Sequence, residues 1–163
     1  MKTFEELKED LLERAKKHHA CQDGYSMGLN AKSKQDLLKA ITDNWYWVLS
    51  TSKMIDANYL EKNFTEEELT EAGIYTRKEH TSNAKSFACG SATVKAYGSA
   101  TVEACDSATV EAYGSATVEA YDNSYVEDCT GNINTVSDHG IVKDYYNHKI
   151  YIKKGKFEII EIE

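Results

Sequence analysis

No apolar run in this 163-residue sequence approaches the ~20 residues that a membrane-spanning helix needs. The N-terminal stretch MKTFEELKEDLLERAKK mixes charges of both signs with its apolar positions. It lacks the apolar core and the small-residue cleavage site of a signal peptide. We therefore expect no membrane contact and a cytoplasmic location.

The sequence also lacks the paired cysteines of a zinc site. Cys21 stands alone, and Cys89, Cys105 and Cys129 each occupy the last position of a repeated octapeptide, without a CxxC pair. The segment HHACQD matches no metal-site spacing. We expect buried or half-buried free thiols, with no metal and no cofactor.

Positive charge is scarce in the second half of the chain. Residues 81–149 contain 4 basic and 9 acidic side chains, a net charge of -5, whereas residues 1–80 sum to -3 and the tail to zero. Because an acidic surface repels nucleic acid, direct DNA or RNA binding is not expected. A partner with a basic groove fits this charge better.

A catalytic constellation is missing as well. The outward positions of the clean repeats offer only Ser, Thr, Glu or Lys, and Tyr, and these do not differ enough from one repeat to the next to form a unique site. We expect a non-enzymatic protein with no catalytic residues.

The segment 1–80 predicts a compact helical subdomain. Thr3 with Glu6 forms a capping-box pattern before a helix over about 4–19, and Ser33 can cap a second helix. The segment CQDGYSMGLN, with two glycines, is expected to be a loop. A third helix is expected over 54–63, and a fourth opens at Thr65 with Glu68 and ends at Gly73.

Three consecutive aromatic residues in NWYWVL could form a ligand platform. Consecutive residues point in different directions around a helix, so the pattern instead favours Trp45 and Val48 in the core. Trp47 is then expected to half cover the junction with the rest of the chain.

One octapeptide dominates the second half of the chain. Within each clean copy the third, fifth and seventh positions are Ala, Val and Ala, and the fourth and sixth are Thr and Glu or Lys. This alternation predicts one strand per copy, and the Gly/Asp-Ser pair at each junction supplies a turn. The copies are SNAKSFAC, GSATVKAY, GSATVEAC, DSATVEAY, GSATVEAY and DNSYVEDC from Ser82 onward, followed by the degraded TGNINTVS and DHGIVKDY.

Repeated strands of this kind stack as a β-solenoid. A 16-residue coil of two strands would have a thin interior that Ala-Val-Ala can fill, whereas a 24-residue coil of three strands would leave a hollow triangle unless tyrosines turned inward. The two-strand coil places Cys89 on Cys105, and the three-strand coil places Cys105 on Cys129. Close packing favours the two-strand coil.

The predicted architecture is α+β: a helical N-terminal subdomain (1–80) caps a parallel β-solenoid (81–149). The segment HKIYIKKGKFEIIEIE is typical of two alternating strands around Lys154-Gly155, a hairpin cap over 150–163.

Glutamates recur at the sixth position of successive octapeptides. In a two-strand coil they stack as like charges, which costs some tenths of a kcal/mol per pair, so stability alone does not select them. Solubility after recent duplication is one explanation. The other is that the acidic rows imitate a phosphate backbone and bind a basic groove. The predicted partner-binding residues are Glu103, Glu111, Glu119 and Glu127, with Asp106, Asp122 and Asp128 at the corners.

A helical segment ending in EAGIYTR and followed by SATVEAYGSATVEAY-type octapeptides resembles small proteins encoded by bacteriophages and mobile elements of gut bacteria. The resemblance implies no catalytic residues. It implies a setting in which small acidic proteins inhibit host nucleases, as anti-CRISPR and anti-restriction proteins do. The expected partner is therefore a host protein with a basic groove, such as a CRISPR or restriction nuclease.

A second class of function stays open on the sequence. The solenoid would then be a spacer or self-assembly module, and the helical part would make the recognition contacts. The residues leave open whether the protein forms a homodimer.

Overall fold

A computed structural model describes residues 2–132 and 134–162. A helical subdomain precedes a parallel β-solenoid, and the last strand pairs antiparallel with the end of the solenoid. The helices are α1 (Phe4–Lys17), α2 (Gln22–Asn30), α3 (Lys34–Asp43), α4 (Ala57–Asn63) and α5 (Glu66–Glu71), with a π-helical segment at Tyr46–Thr51. The strands are β1 (Ile74–Tyr75), β2 (Glu79–Ser82), β3 (Lys85–Ala88), β4 (Thr93–Ala96), β5 (Thr101–Ala104), β6 (Thr109–Ala112), β7 (Thr117–Ala120), β8 (Tyr125–Asp128), β9 (Thr135–Val136), β10 (Ile141–Asp144) and β11 (Lys149–Ile152).

Side-chain caps set most helix starts. Thr3 and Glu6 form the expected capping box at α1, and Thr65 and Glu68 form another at α5. Ser33 caps α3. The predicted helix over 54–63 begins only at Ala57, because the Asp56 carboxylate accepts the Tyr59 N–H as an N-cap. None of the helices within residues 2–132 and 134–162 is long and apolar enough to cross a membrane.

The loop predicted for CQDGYSMGLN is wrong, because this segment forms α2. The Cys21 sulfur caps the helix by accepting the Gly24 N–H at 3.4 Å. A Cβ at Gly24 would lie 3.3 Å from Asn44 Oδ1, and one at Gly28 would lie 3.4 Å from Leu12. The glycines therefore face neighbouring helices, and tertiary contact outweighs their poor helix propensity.

The solenoid has two strands per coil, as the small interior residues predict. One parallel sheet (sheet A) has the order β1-β3-β5-β7-β9, and the other (sheet B) has the order β11-β10-β8-β6-β4-β2. Thr93 pairs with Thr109 and Thr101 with Thr117, so each strand pairs with the strand two octapeptides further along the chain. The Ala and Val side chains at the third, fifth and seventh positions are buried between the sheets.

The first residue of each clean octapeptide lies in the left-handed region of backbone conformation. Gly98 and Gly114 have φ of 60° and 68°, and Asp106 and Asp122 have φ of 53° and 50°. Glycine adopts this conformation freely, and aspartate is among the few other residues that tolerate it. The restriction of this position to Gly or Asp therefore follows from the corner geometry.

The helical subdomain packs along one corner of the solenoid as well as at its start. Cys89, Cys105 and Tyr121 are the eighth positions of alternate octapeptides, and they belong to the same core cluster as the helical residues. The Trp45 and Phe87 rings lie 5.0 Å apart between centroids, and the Tyr46 and Tyr121 rings lie 4.4 Å apart. The two parts of the chain thus share one hydrophobic core.

The aromatic prediction is confirmed in part. Trp45 and Val48 are buried in this shared core. Trp47, however, lines a cleft within the helical subdomain, and Tyr46 covers the junction instead. The difference arises because the π-helical segment changes the direction of the side chains after Asn44.

A C-terminal hairpin is present, but it lies one strand earlier than expected. β10 and β11 pair antiparallel through the turn at 145–148. Lys154-Gly155 does form a turn, yet residues 157–162 do not pair as a strand. The β10–β11 turn is favoured locally because the Asp144 carboxylate accepts both the backbone N–H and the side-chain amide of Asn147, each at 2.8 Å.

Candidate partner-binding surface

The four predicted glutamates are divided equally between the two faces of the solenoid. Glu103 pairs in register with Glu119 on sheet A, and Glu111 pairs with Glu127 on sheet B. All four side chains are partly exposed. Neighbouring strands are about 4.8 Å apart, so each face presents two stacked carboxylates.

On sheet A, the carboxylates of Glu103 and Glu119 are bonded to other side chains of the protein. Glu103 accepts from Lys85 Nζ at 3.0 Å, and its side chain is only 15% exposed. Glu119 accepts a hydrogen bond from the Tyr121 hydroxyl. Burial, and next the hydrogen bond to Glu119, raise the pKa of Tyr121, so this hydroxyl stays a donor. Tyr121 in turn packs under the helical subdomain.

The sheet B pair is freer. No ion-pair partner lies within 4.0 Å of Glu111 or Glu127 in the part of the chain that the structure describes. Lys95 stands beside Glu111 in register but pairs with Glu79 at 3.0 Å. Lys143 stands beside Glu127 and lies over the Tyr145 ring. The two glutamates therefore keep an unpaired negative charge on an open sheet.

Tyrosine hydroxyls orient these carboxylates. Tyr113 donates to Glu111 at 2.9 Å, and Tyr125 and Tyr145 both approach Glu127 Oε1 at 3.3 Å. The hydrogen bond to Glu111 raises the pKa of Tyr113 to about 12. At neutral pH the Tyr113 hydroxyl therefore remains protonated, so it holds the Glu111 carboxylate in place without adding charge.

A stacked pair of tyrosines borders the glutamates, and the sequence reasoning missed it as a contact feature. Tyr97 and Tyr113 stack with ring centroids 5.1 Å apart, and Tyr97 is 40% exposed. The signal was present, because successive eighth positions fall alternately on opposite corners in a two-strand coil. One corner faces the helices and the other faces outward. We call the outward surface of Glu111, Glu127, Tyr97, Tyr113 and Tyr145 the Tyr–Glu face.

The three predicted corner aspartates do not belong to this face. Asp122 accepts from Ser50 Oγ at 2.7 Å and pairs with Lys53 at 3.4 Å, so it joins the helical subdomain to the solenoid. Asp106 accepts the Gly90 N–H at 3.1 Å on the same corner. Asp128 is fully buried and accepts from Thr130 and Asn134. Their charges serve the fold's internal hydrogen bonds, and we leave them out of the contact surface.

The expectation of buried or half-buried thiols holds for two of the four cysteines: Cys89 and Cys105 stack in the shared core, whereas Cys21 and Cys129 are exposed. The sulfurs of Cys89 and Cys105 and a carboxylate oxygen of Asp106 lie within 4.8 Å of one another. The hydrogen bond with Cys89 and then burial raise the pKa of Cys105 well above its ordinary value. Both thiols pack against the apolar side chains of the helical subdomain, so packing is the role that this geometry supports.

The helical subdomain also contains an open, apolar cleft of about 260 Å³. It lies among α1, α2, α3 and the π-helical segment, with Leu12, Tyr25 and Trp47 on its walls. The sequence reasoning missed it because α2 was expected to be a loop.

Comparison with protein-family models, with curated proteins and with solved structures finds no match to this chain.

Proposed function

We propose that this protein is a non-enzymatic inhibitor that binds a host nucleic-acid-handling protein in the bacterial cytoplasm through the Tyr–Glu face. The observation that carries the proposal is the unpaired, stacked couple of Glu111 and Glu127 on the open sheet. A basic groove evolved to bind phosphates would supply the missing positive charges.

The composition of the face supports protein binding. Tyrosine is enriched among residues that contribute most to binding energy, because it offers a large apolar ring and a hydroxyl at low entropic cost. Here the Tyr97 and Tyr113 rings are stacked and the Glu111 carboxylate is oriented before any partner arrives. Such preorganisation reduces the entropy lost on binding.

Charge reversal tests the proposal. We would first identify a basic nucleic-acid-handling protein retained from host lysate, and then measure its affinity for the wild type and for the double variant Glu111→Lys, Glu127→Lys. Reversing two interfacial charges should weaken binding roughly tenfold or more, equivalent to about 1.4 kcal/mol. The wild-type affinity should also fall with added salt.

The opposite face provides the matched control. Glu103→Lys with Glu119→Lys changes the net charge equally on sheet A, where these carboxylates are already bonded internally, and it should reduce affinity much less. Equal losses in both double variants would show a general charge effect. Unchanged affinity in the sheet B variant would refute the proposed surface.

The alternative is a spacer or self-assembly module whose recognition site lies in the helical part. The apolar cleft beside Leu12 and Trp47 is the observation that favours it. In that case Leu12→Glu, at the cleft wall, would abolish partner binding while both solenoid variants bind normally.

A further inference from the structure

The far end of sheet B has an unpaired edge. β11 is the last strand of this sheet, and among the described residues no strand pairs with its outer side. Unpaired edge strands offer a row of backbone donors and acceptors to another chain. Proteins usually protect such an edge, but here Ile150 is 65% exposed on it.

Sheet A does not cover this end of sheet B. Sheet A finishes at β9, whereas sheet B continues through β10 to β11. Tyr151 pairs in register with the buried Val142, which places it on the inner side of the sheet, yet it is 40% exposed. β11 therefore presents apolar side chains to solvent from both of its faces.

The segment after β11 adds more apolar surface. Ile159, Ile160 and Ile162 are 69%, 75% and 91% exposed. The chain turns at Gly155, with φ of 79°, and Phe157 then contacts the His139 ring at 5.7 Å between centroids. These isoleucines are thus presented outward rather than folded onto the protein's own edge.

The charges around this end complement one another. Lys149, Lys153, Lys154 and Lys156 are exposed in β11 and its turn, and Glu158 and Glu161 are exposed in the following segment. When two copies face each other across a two-fold axis, the lysines of one copy meet the glutamates of the other. A partner with a single strong charge would be repelled by one of the two sets.

We propose that the protein is a two-fold symmetric homodimer held together by residues 149–162 of both copies. Each segment 157–162 lies along β11 of the other copy, so that the free edges and the exposed isoleucines are buried together. Two-fold pairing uses the same patch on both copies, so the assembly closes at two and does not extend into a fibre.

The test is the solution mass of the full-length protein by light scattering after size-exclusion chromatography, over a range of micromolar concentrations. The wild type should have twice the 18.3 kDa chain mass. The double variant Ile159→Asp, Ile160→Asp should have half the wild-type mass, because burying two carboxylates in the interface is unfavourable. Both positions are exposed in the single chain, so circular dichroism should be unchanged.

Leu29→Asp is the matched control, since Leu29 is an exposed apolar residue in α2, far along the chain from this edge. It should remain a dimer. A wild type that is monomeric at every concentration, a tail variant that stays dimeric, or open-ended growth into larger assemblies would each overturn the proposal.

Discussion

Asp122 makes polar contacts across the boundary between the helical subdomain and the solenoid. Asp122 occupies the left-handed corner of its octapeptide, and its side chain contacts both Ser50 and Lys53 of the helical subdomain. Asp138 has the same backbone conformation one coil later, but its carboxylate accepts only from the neighbouring Ser137 among the described contacts. Asp122 therefore has two roles, the corner conformation and the contact between subdomains, whereas Asp138 has only the first.

Replacement of each aspartate by asparagine tests this distinction. Asn tolerates the left-handed conformation, so both variants keep the corner. Asp122→Asn should lower the free energy of unfolding by about 1.5–3 kcal/mol, the range for a hydrogen bond to a charged group. Asp138→Asn should have a much smaller effect. Urea denaturation measures both, and equal losses would mean that the corner alone decides.

At the scale of the element, each octapeptide combines a corner with a strand whose interior positions are small. The interior is thin because Ala and Val fill it, and this explains why two strands complete a coil. In the last units the pattern degrades, and the buried Asp128 and Asp144 replace interior alanines in register with each other. Both aspartates accept hydrogen bonds from nearby turns, and Asp144 closes the β10–β11 hairpin.

Because of Asp144 in the β10–β11 hairpin, the free energy of unfolding should decrease as the pH falls into the acid range. The side-chain and then the backbone hydrogen bonds from Asn147 lower the pKa of Asp144 below its usual value of 3.8. Between the folded and the unfolded pKa the unfolded chain binds more protons, so the stabilisation is complete above about pH 4 and is lost as the pH falls through the folded pKa.

Asp144→Asn should remove this part of the pH dependence. Urea midpoints measured from neutral pH downward should show a shallower loss below about pH 4 than in the wild type, with lower stability at neutral pH. Glu13→Gln, at an exposed position in α1, should follow the wild-type curve. An unchanged slope in Asp144→Asn would show that other carboxylates govern acid unfolding.

At the scale of the whole molecule, the helices and the solenoid form one folding unit. Trp45 packs on Phe87, and the eighth-position residues Cys89, Cys105 and Tyr121 are buried against the helices. Removing the segment 1–80 would expose this apolar corner together with two free thiols. A deletion of that kind therefore disturbs the solenoid and cannot isolate its function.

Thermal unfolding should show a single transition. Both tryptophans lie in the helical subdomain, so their fluorescence reports on that part, while the β-sheet contribution to far-UV circular dichroism reports on the solenoid. Because the core is shared, the two signals should change at the same temperature. A β-sheet signal that persists after the tryptophan fluorescence has changed would show that the solenoid folds independently.

Local patterns were sufficient for most of the fold. The capping boxes at Thr3 and Thr65, the alternation within each octapeptide and the volume of Ala-Val-Ala predicted the helices, the strands and the two-strand coil. The helix caps depend on interactions within one helical turn. The strands and the coil depend on a repeat in which each strand pairs with another copy of the same octapeptide. The same repeat predicted that the sixth-position glutamates stack, as Glu103 does with Glu119 and Glu111 with Glu127.

Contacts between distant segments decided the rest. The glycines of α2 predicted a loop, because the local sequence does not show that they lie close to Leu12 and Asn44. The sequence predicted the corner aspartates to be surface charges, but Asp122 contacts Ser50 and Lys53 of the helical subdomain. Sequence alone therefore determined the solenoid and its two-strand coil, because each octapeptide packs against other copies of the same octapeptide. The tertiary structure decided which corner and which glutamates remain exposed, because the helical subdomain covers one side only.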